Sequence, residues 1–213
     1  MRLPKSRPRV PRPTDQSGKV RERKFPDFFY GRGHWAGERR RAKLLFNPVI
    51  YFYNLFMVHV GIGYDVHQLV AGRKLVLGGV EIQHVKGLDG HSDADALLHA
   101  ICDAVLGALG ESDIGHFFPN TDPRWKGVAS KIFLEEAAKQ VTKRAGRIVN
   151  IDATVLAQAP KIYPHIAEMK QNIAAALGIA PGQVGVKATT NETMGFIGRE
   201  EGIAAMAVAS IDF

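Results

Sequence analysis

The period of the apolar residues changes at residue 91, and this change restricts the fold more than any other feature. Before it, "MVHVGIGYDVH" (57–67) alternates and is rich in β-branched residues, the pattern of a strand with two unlike faces. After it, "HSDADALLHAICDAVLGALG" (91–110) carries apolar residues at 94, 97, 98, 101, 105 and 106, the spacing of a helix. Ser92 with Asp95 three residues on resembles a capping box, and Gly110 supplies the stop. "KLVLGGVEI" predicts two short strands turning at Gly78-Gly79. Residues 129–145 repeat the helical period, and "RIVNIDATVLAQAP" reads as a strand ended by Pro160. "PHIAEMKQNIAAALG" reads as a helix begun by Pro164, and "VGVKATTN" and "GIAAMAVASIDF" as two closing strands. Hairpin-like and helix-joined strands thus share one chain. The expected fold is α+β, a mixed four- to five-stranded sheet with helices packed on one face. No repeat or domain break interrupts the pattern after residue 57.

Residues 1–56 lack this regularity, and here composition matters. They carry 14 Lys/Arg against 4 Asp/Glu, whereas the other 157 residues carry 14 against 17. The net charge of +7 therefore belongs to the extension, and a basic nucleic-acid-binding face on the folded part is not expected. "MRLPKSRPRVPRPTDQSGKVRERKF" is rich in Pro and Arg and is expected to be disordered. The apolar run from Leu44 to Val58 is broken by Asn47, Pro48 and Asn54 and falls short of the roughly 20 residues a membrane span needs. Its basic flank lies too far from the start for a secretory signal, and four acidic residues with two serines are unhelpful to a transit peptide. The expectation is a basic extension over 1–56, either sequence upstream of a true start at Met57 or a targeting segment, followed by one domain over 57–213. The single Cys102 excludes an intramolecular disulfide, fits a reducing compartment, and reads as a small core residue of the helix.

The chemistry concentrates in two segments. Residues i and i+2 of a strand face the same way, so Asp65 and His67 can bind one ion together. His99 follows His91 by eight residues, about two helical turns, which places both near one helix face. An Asp-x-His pair plus one distant His gives three N/O ligands with a fourth position open, the composition of a catalytic zinc site. The plainer alternative is that these are ordinary histidines on amphipathic elements. "GHSDAD" sets His91 beside a helix N-terminus, a ready place for an anion. "KATTNETMGFIGR" supplies Lys187, Thr189, Thr190 and Arg199 among glycines that allow close backbone approach. "SDIGHFFPNTD" is a polar loop with Asp113 and Asp122, suited to sugar hydroxyls or a hard cation. Nothing matches the GxxxxGK[ST] loop of nucleotidases.

These residues carry a resemblance. "GIGYDVHQL", "GGVEI", "GLDGHSDADALLHAICDAVLGALGESDIGHFFPNTDPRWKG", "AQAPKIYPHI" and "VKATTNETMGFIGREEGIAA" resemble, in order, the 2-C-methyl-D-erythritol 2,4-cyclodiphosphate synthase family of the non-mevalonate isoprenoid pathway. The resemblance spans about residues 58–213 and leaves the first 56 uncovered. It implies a homotrimer with active sites between subunits, Zn²⁺ held by Asp65, His67 and His99, and Mg²⁺ or Mn²⁺ bridging the substrate diphosphate. It implies His91 and Thr190 as the pair that stabilises the transition state. Substrate contacts are implied for Asp65, Val66, His67, His91 and Ser92, and in the loop for Asp113, Ile114, Gly115, Phe118, Pro119, Asn120, Thr121 and Asp122. In the second half they are implied for Ala157, Gln158, Ala159, Pro160, Lys161, Ile162 and Tyr163, then Thr189, Thr190, Asn191, Glu192, Phe196 and Arg199. One departure stands out: Asn120 in "FPNTD" replaces the Asp common in the family, keeping an acceptor and losing a charge.

The implied reaction closes a ring. The 2-phosphate of 4-diphosphocytidyl-2-C-methyl-D-erythritol 2-phosphate attacks the β-phosphorus and expels CMP, a lyase-type step on a cytidine diphosphate-linked small molecule. No protein nucleophile is needed, in keeping with the lack of a Ser/His/Asp or Cys/His arrangement. The location implied is the bacterial cytoplasm, or a plastid if the extension is a genuine transit peptide. Two rivals are weighed against it. A zinc-dependent phosphohydrolase would need a general base for water, for which Glu192 is the evident candidate. A scaffold whose basic extension binds nucleic acid or anionic membrane would lose its function on removal of residues 1–56. The synthase reading predicts neither nucleic-acid binding nor a membrane span.

Overall fold

The structure, a computed structural model, describes residues 57–213, so the reading of residues 1–56 lies outside the described residues. In chain order these form strands β1 (Val58–Ala71), β2 (Leu75–Leu77), β3 (Val80–Ile82) and β4 (Lys86–Leu88), then helices α1 (Ala96–Ala108), α2 (Ile114–Phe117) and α3 (Lys131–Lys143). They continue with β5 (Arg147–Leu156), α4 (Ile166–Leu177), β6 (Val184–Thr189), α5 (Gly195–Gly198) and β7 (Gly202–Asp212). A five-stranded mixed sheet runs in the order β4-β1-β7-β5-β6, and β2 and β3 pair separately as the expected hairpin. β7 is antiparallel to both β1 and β5, whereas β5 and β6, joined through α4, are parallel. The architecture is the α+β fold expected from the sequence. Short elements escaped the sequence reading: three residues of β4 and four each of α2 and α5 are too few to display a period.

The sheet is covered on one face. Along β1 the burial alternates, with Gly61, Gly63 and Leu69 buried and Val60, Ile62, Tyr64 and Val66 exposed. The glycines let α1 lie directly on the strand. A Cβ on Gly61 would sit 2.0 Å from the Ala104 carbonyl oxygen, and one on Gly63 would sit 1.9 Å from that of Ala100. α1 is consequently buried on nearly every side, Cys102 included. α3 and α4 complete the layer over the sheet, placing Phe133, Leu134, Met169 and Ile173 in the same core.

The start of α1 departs from the sequence reading. Asp95 caps the helix, accepting from the Leu98 amide at 3.0 Å, while Ser92 lies four residues before the first helical turn. Asp95 is fully buried and also accepts from the Gly78 and Gly79 amides at 2.9 and 2.7 Å, tying the hairpin to the helix. Its carboxylate thus takes the Leu98 amide, one of the helix N-terminal donors that the sequence offered to an anion. His91 is off the helix, so the shared helix face expected for His91 and His99 does not exist. Gly110 ends the helix as expected, at φ +71°, with the Glu111 amide closing back on the Leu106 carbonyl at 3.0 Å.

Candidate active site

Asp65 and His67 stand on the inner face of β1, and the close approach of α1 brings His99 against them. His67 Nε2 lies 2.9 Å and His99 Nδ1 3.0 Å from Asp65 Oδ2, and the two ring nitrogens are 3.2 Å apart. Bonds of about 2.0–2.1 Å to a tetrahedral zinc would hold ligand atoms roughly 3.3 Å apart, so the three donors fit one ion with little movement. Each ring's outer nitrogen is engaged. His67 Nδ1 donates to the Asp89 carbonyl at 2.7 Å, and His99 Nε2 lies 2.8 Å from Ser130 Oγ. Metal-binding histidines are commonly oriented in this way. Burial by itself would raise the Asp65 carboxyl, but hydrogen bonds and charge from His67 and His99 outweigh it and hold the group well below the usual carboxylate range. Burial likewise lowers His67, and its bonds to Asp65 and Asp89 reverse that, leaving it above the ordinary histidine value.

A cleft of about 510 Å³ opens beside this triad. His67, His99, His91 and Ser92 line it, together with Ile114, Gly115, Phe118, Pro119, Asn120 and Thr121 of the following loop. The lining also includes Trp125 and Phe133, which the sequence reading missed. Phe118 meets Trp125 edge-to-face at a centroid distance of 5.1 Å and packs tilted against Phe133 at 4.5 Å. Asp113 and Asp122 hold the loop in shape, Asp113 accepting from the His116 amide at 3.1 Å and Asp122 from the Arg124 amide at 3.0 Å. Asp122 is further clamped by the Arg124 guanidinium, at 2.6 Å. Val66 points away from the cleft to the open sheet face, so within one chain only its backbone faces this side.

Of the remaining sequence candidates, residues 157–163 and 189–192 gather at the opposite edge of the sheet, whereas Phe196 and Arg199 lie by the start of β7, where Gly202 pairs with Gln68 of β1. Asp65 pairs with Ala205, Ala205 with Val155, and Val155 with Ala188. The triad and the end of β6 are therefore three strand spacings apart, roughly 14 Å. There the Ala157 amide donates to the Thr189 carbonyl at 3.0 Å, and Gln158 Oε1 accepts from the Thr193 amide at 3.2 Å, joining the 157–163 loop to the 189–194 turn. Lys161 and Tyr163 are exposed while Ala157 and Ile162 belong to the core. Thr190 donates to Glu192 at 2.6 Å. Arg199, on the β1 side, pairs with Glu201 at 2.8 Å, and the Glu201 carbonyl accepts from the Leu69 amide at 2.9 Å. Glu192 and Thr193 hold left-handed backbone at φ +49° and +64°, uncommon for any side chain and more so for a β-branched one. The structure thus gathers most of the candidates into two groups, with His91 in the cleft group and Thr190 in the β6-edge group. Glu192, the base a hydrolase would use, is with the distant half.

Fold and site together define an α+β domain whose carboxylate and two imidazoles can hold one metal ion at the end of a cleft, the make-up of a metal-dependent enzyme. The chain belongs to the YgbB family, whose model matches residues 58–212. It is 57% identical over 158 residues to the 2-C-methyl-D-erythritol 2,4-cyclodiphosphate synthase of Ralstonia nicotianae, covering 74% of this chain and 94% of that protein. It is 59% identical over 152 residues to the synthase of the same name from Cupriavidus necator, covering 71% and 90%. Among solved structures, IspF of Plasmodium falciparum in complex with CDP superposes with a TM-score of 0.65 at 36% identity, over 73% of this chain and 96% of that one. The bifunctional IspDF of Campylobacter jejuni gives 0.72 at 40% identity, over 74% of this chain and 43% of that larger one. Among the described residues no helix is long and apolar enough to cross a membrane.

Proposed function

We propose that this chain converts 4-diphosphocytidyl-2-C-methyl-D-erythritol 2-phosphate to 2-C-methyl-D-erythritol 2,4-cyclodiphosphate with release of CMP. The observation that carries the reading is the convergence of Asp65, His67 and His99 on one point beside a cleft, in a chain of this family. These three residues hold Zn²⁺. When bound, the ion supplies a Lewis acid for a phosphate oxygen. Mg²⁺ or Mn²⁺ arrives on the diphosphate as part of the substrate.

The chain itself has two tasks. It must fold a flexible polyanionic substrate so that its 2-phosphate approaches the β-phosphorus, and it must offer donors to the charge that builds there. The 114–122 loop and the aromatic lining enclose the erythritol and phosphate end. His91 lines the same cleft. Thr190 and the 157–163 loop hold the diphosphate and cytidine end. No side chain attacks phosphorus, so the displaced CMP carries off the bonding electrons and the ring closes on the substrate's own oxygen.

With the two half-sites roughly 14 Å apart in one chain, a complete site forms between subunits of a homotrimer. The bare sheet face supports this reading: Val60, Ile62 and Tyr64 are 64%, 68% and 53% exposed, beside Met206 and Val208 of β7. Such a patch marks a contact surface. Residues 57–213 are the synthase domain and suffice for the activity, with 1–56 dispensable. Phosphorus NMR of the product formed with Zn²⁺ and Mg²⁺ tests the reaction. A cyclic diphosphate with one equivalent of CMP supports the synthase, and inorganic phosphate or a linear diphosphate rejects it in favour of hydrolysis.

A further inference from the structure

Ser130 stands at the N-cap position of α3, where a serine ordinarily spends its hydroxyl on the helix's own amides. Here it makes no such bond. The side chain is fully buried, its amide donates to Asp93 Oδ1 at 3.1 Å, and its hydroxyl donates to the same carboxylate oxygen. His99 Nε2 lies 2.8 Å from that hydroxyl oxygen.

On the Nε2 side of His99 the proton count leaves one arrangement. A carboxylate oxygen only accepts, so the single Ser130 proton goes to Asp93. The Ser130 oxygen then faces His99 with a lone pair, and His99 must bring the proton, on Nε2. That leaves Nδ1, the atom that points at Asp65, as the nitrogen that can give up its proton to a metal. His67 reaches the same end through the opposite nitrogen, keeping its Nδ1 proton toward the Asp89 carbonyl and presenting Nε2 to the metal position. A main-chain carbonyl secures His67, whereas a two-residue side-chain relay secures His99. Ser92 Oγ, 3.2 Å from both His99 Nε2 and Ser130 Oγ, borders this relay and already accepts from the Ala94 amide at 3.1 Å.

We infer that Ser130, held by Asp93, is a positioning residue that keeps His99 in the tautomer able to bind a metal, at the cost of a helix cap. The inference rests on the metal reading of Asp65, His67 and His99, and the experiment separates the two. Zn²⁺ alone is titrated into the metal-free protein in competition with a chromophoric chelator, and nitrogen NMR of labelled histidine reports the His99 tautomer without metal. Ser130→Ala weakens zinc about 10- to 100-fold, the range for a lost partner of a metal-binding histidine, and the Nε2–H tautomer gives way to a mixture. Ser130→Thr restores both. Asp93→Asn keeps the acceptor oxygen and stays near the parent, whereas Asp93→Ala frees the Ser130 proton and behaves like Ser130→Ala. Should Ser130→Ala not fold, the two Asp93 variants read the same relay. Unchanged zinc affinity and unchanged tautomer in Ser130→Ala, or in Asp93→Ala, overturn the inference while leaving the metal site standing. A parent protein that binds no zinc removes the metal reading and the inference with it.

Discussion

Gly63 and Ala100 lie so close that a Cβ on Gly63 would fall 1.9 Å from the Ala100 carbonyl oxygen. The obstacle is helix backbone, which cannot rotate aside as a side chain can. Gly63→Ala must therefore push α1 off β1 and carry His99 away from Asp65 and His67. A destabilisation at or above the usual overpacking range of about 1–3 kcal/mol is expected, together with loss of bound zinc. Gly107 is the control, since its Cβ would meet nothing nearer than 3.8 Å. Gly107→Ala should be neutral or gain about 0.5–1 kcal/mol from helix propensity. Urea denaturation with metal analysis decides, and equal behaviour of the two variants would refute the packing argument.

Thr190 is exposed, and its hydroxyl donates to Glu192. Thr190→Val keeps the shape and the strand-end backbone while removing the donor. Turnover should fall by about 10²–10³, typical of losing one donor to a developing charge, with an unchanged melting curve. Steady-state kinetics showing full kcat would return Thr190 to a purely local role.

Shared clefts predict complementation. His99→Ala removes one of three metal ligands and should release zinc, and Thr190→Val damages the other half-site. Neither variant is active by itself at more than a low level, but mixed trimers contain clefts free of both substitutions. Activity after verified subunit exchange should exceed that of either parent variant. A chain truncated to residues 57–213 should form the same trimer with the same rate. Ile62→Lys, which sets a charge on the bare sheet face, should yield monomers. Sedimentation showing a monomeric parent, or mixing without any gain, would dispose of the shared-site arrangement.

Asp95 predicts a pH dependence. Complete burial pushes its carboxyl up to about 6, against three amide donors and with the Asp93 charge acting in the same direction as burial. Its ordinary value is 3.8, so between these values the native state binds a proton that the unfolded chain does not. The stability contributed by this carboxyl is fully present below about pH 4 and is lost as pH rises to about 6. Asp95→Asn stays neutral throughout but turns an NH₂ toward an amide, costing about 1–3 kcal/mol. The gap between parent and variant should narrow from pH 4 to 6, measured by urea titration of metal-free protein. A gap that widens over that range would contradict the sign.

The sequence alone determined the order of the long elements, because a period of 2 in β1 or of 3.6 in α1 needs only the local chain to display it. It also marked Asp65 and His67 as partners, since their spacing on one strand face is a local fact. The family, too, was readable from long ordered motifs. The distances between strands were not readable. Whether Asp65 and Thr190 share a cleft depends on β7 and β5 lying between β1 and β6, a consequence of sheet order set by packing of the whole chain. The start of α1 was misread at Ser92 for a similar reason. Asp95 is the better cap because it also receives two hairpin amides from residues 16 and 17 positions earlier. Ser130 drew no notice in the sequence because its partners, Asp93 and His99, are 37 and 31 residues away. Local spacing governs which atoms can act together along one strand or helix turn. Which atoms act together across elements follows from burial, and burial is settled only when the sheet and its helices close on one another.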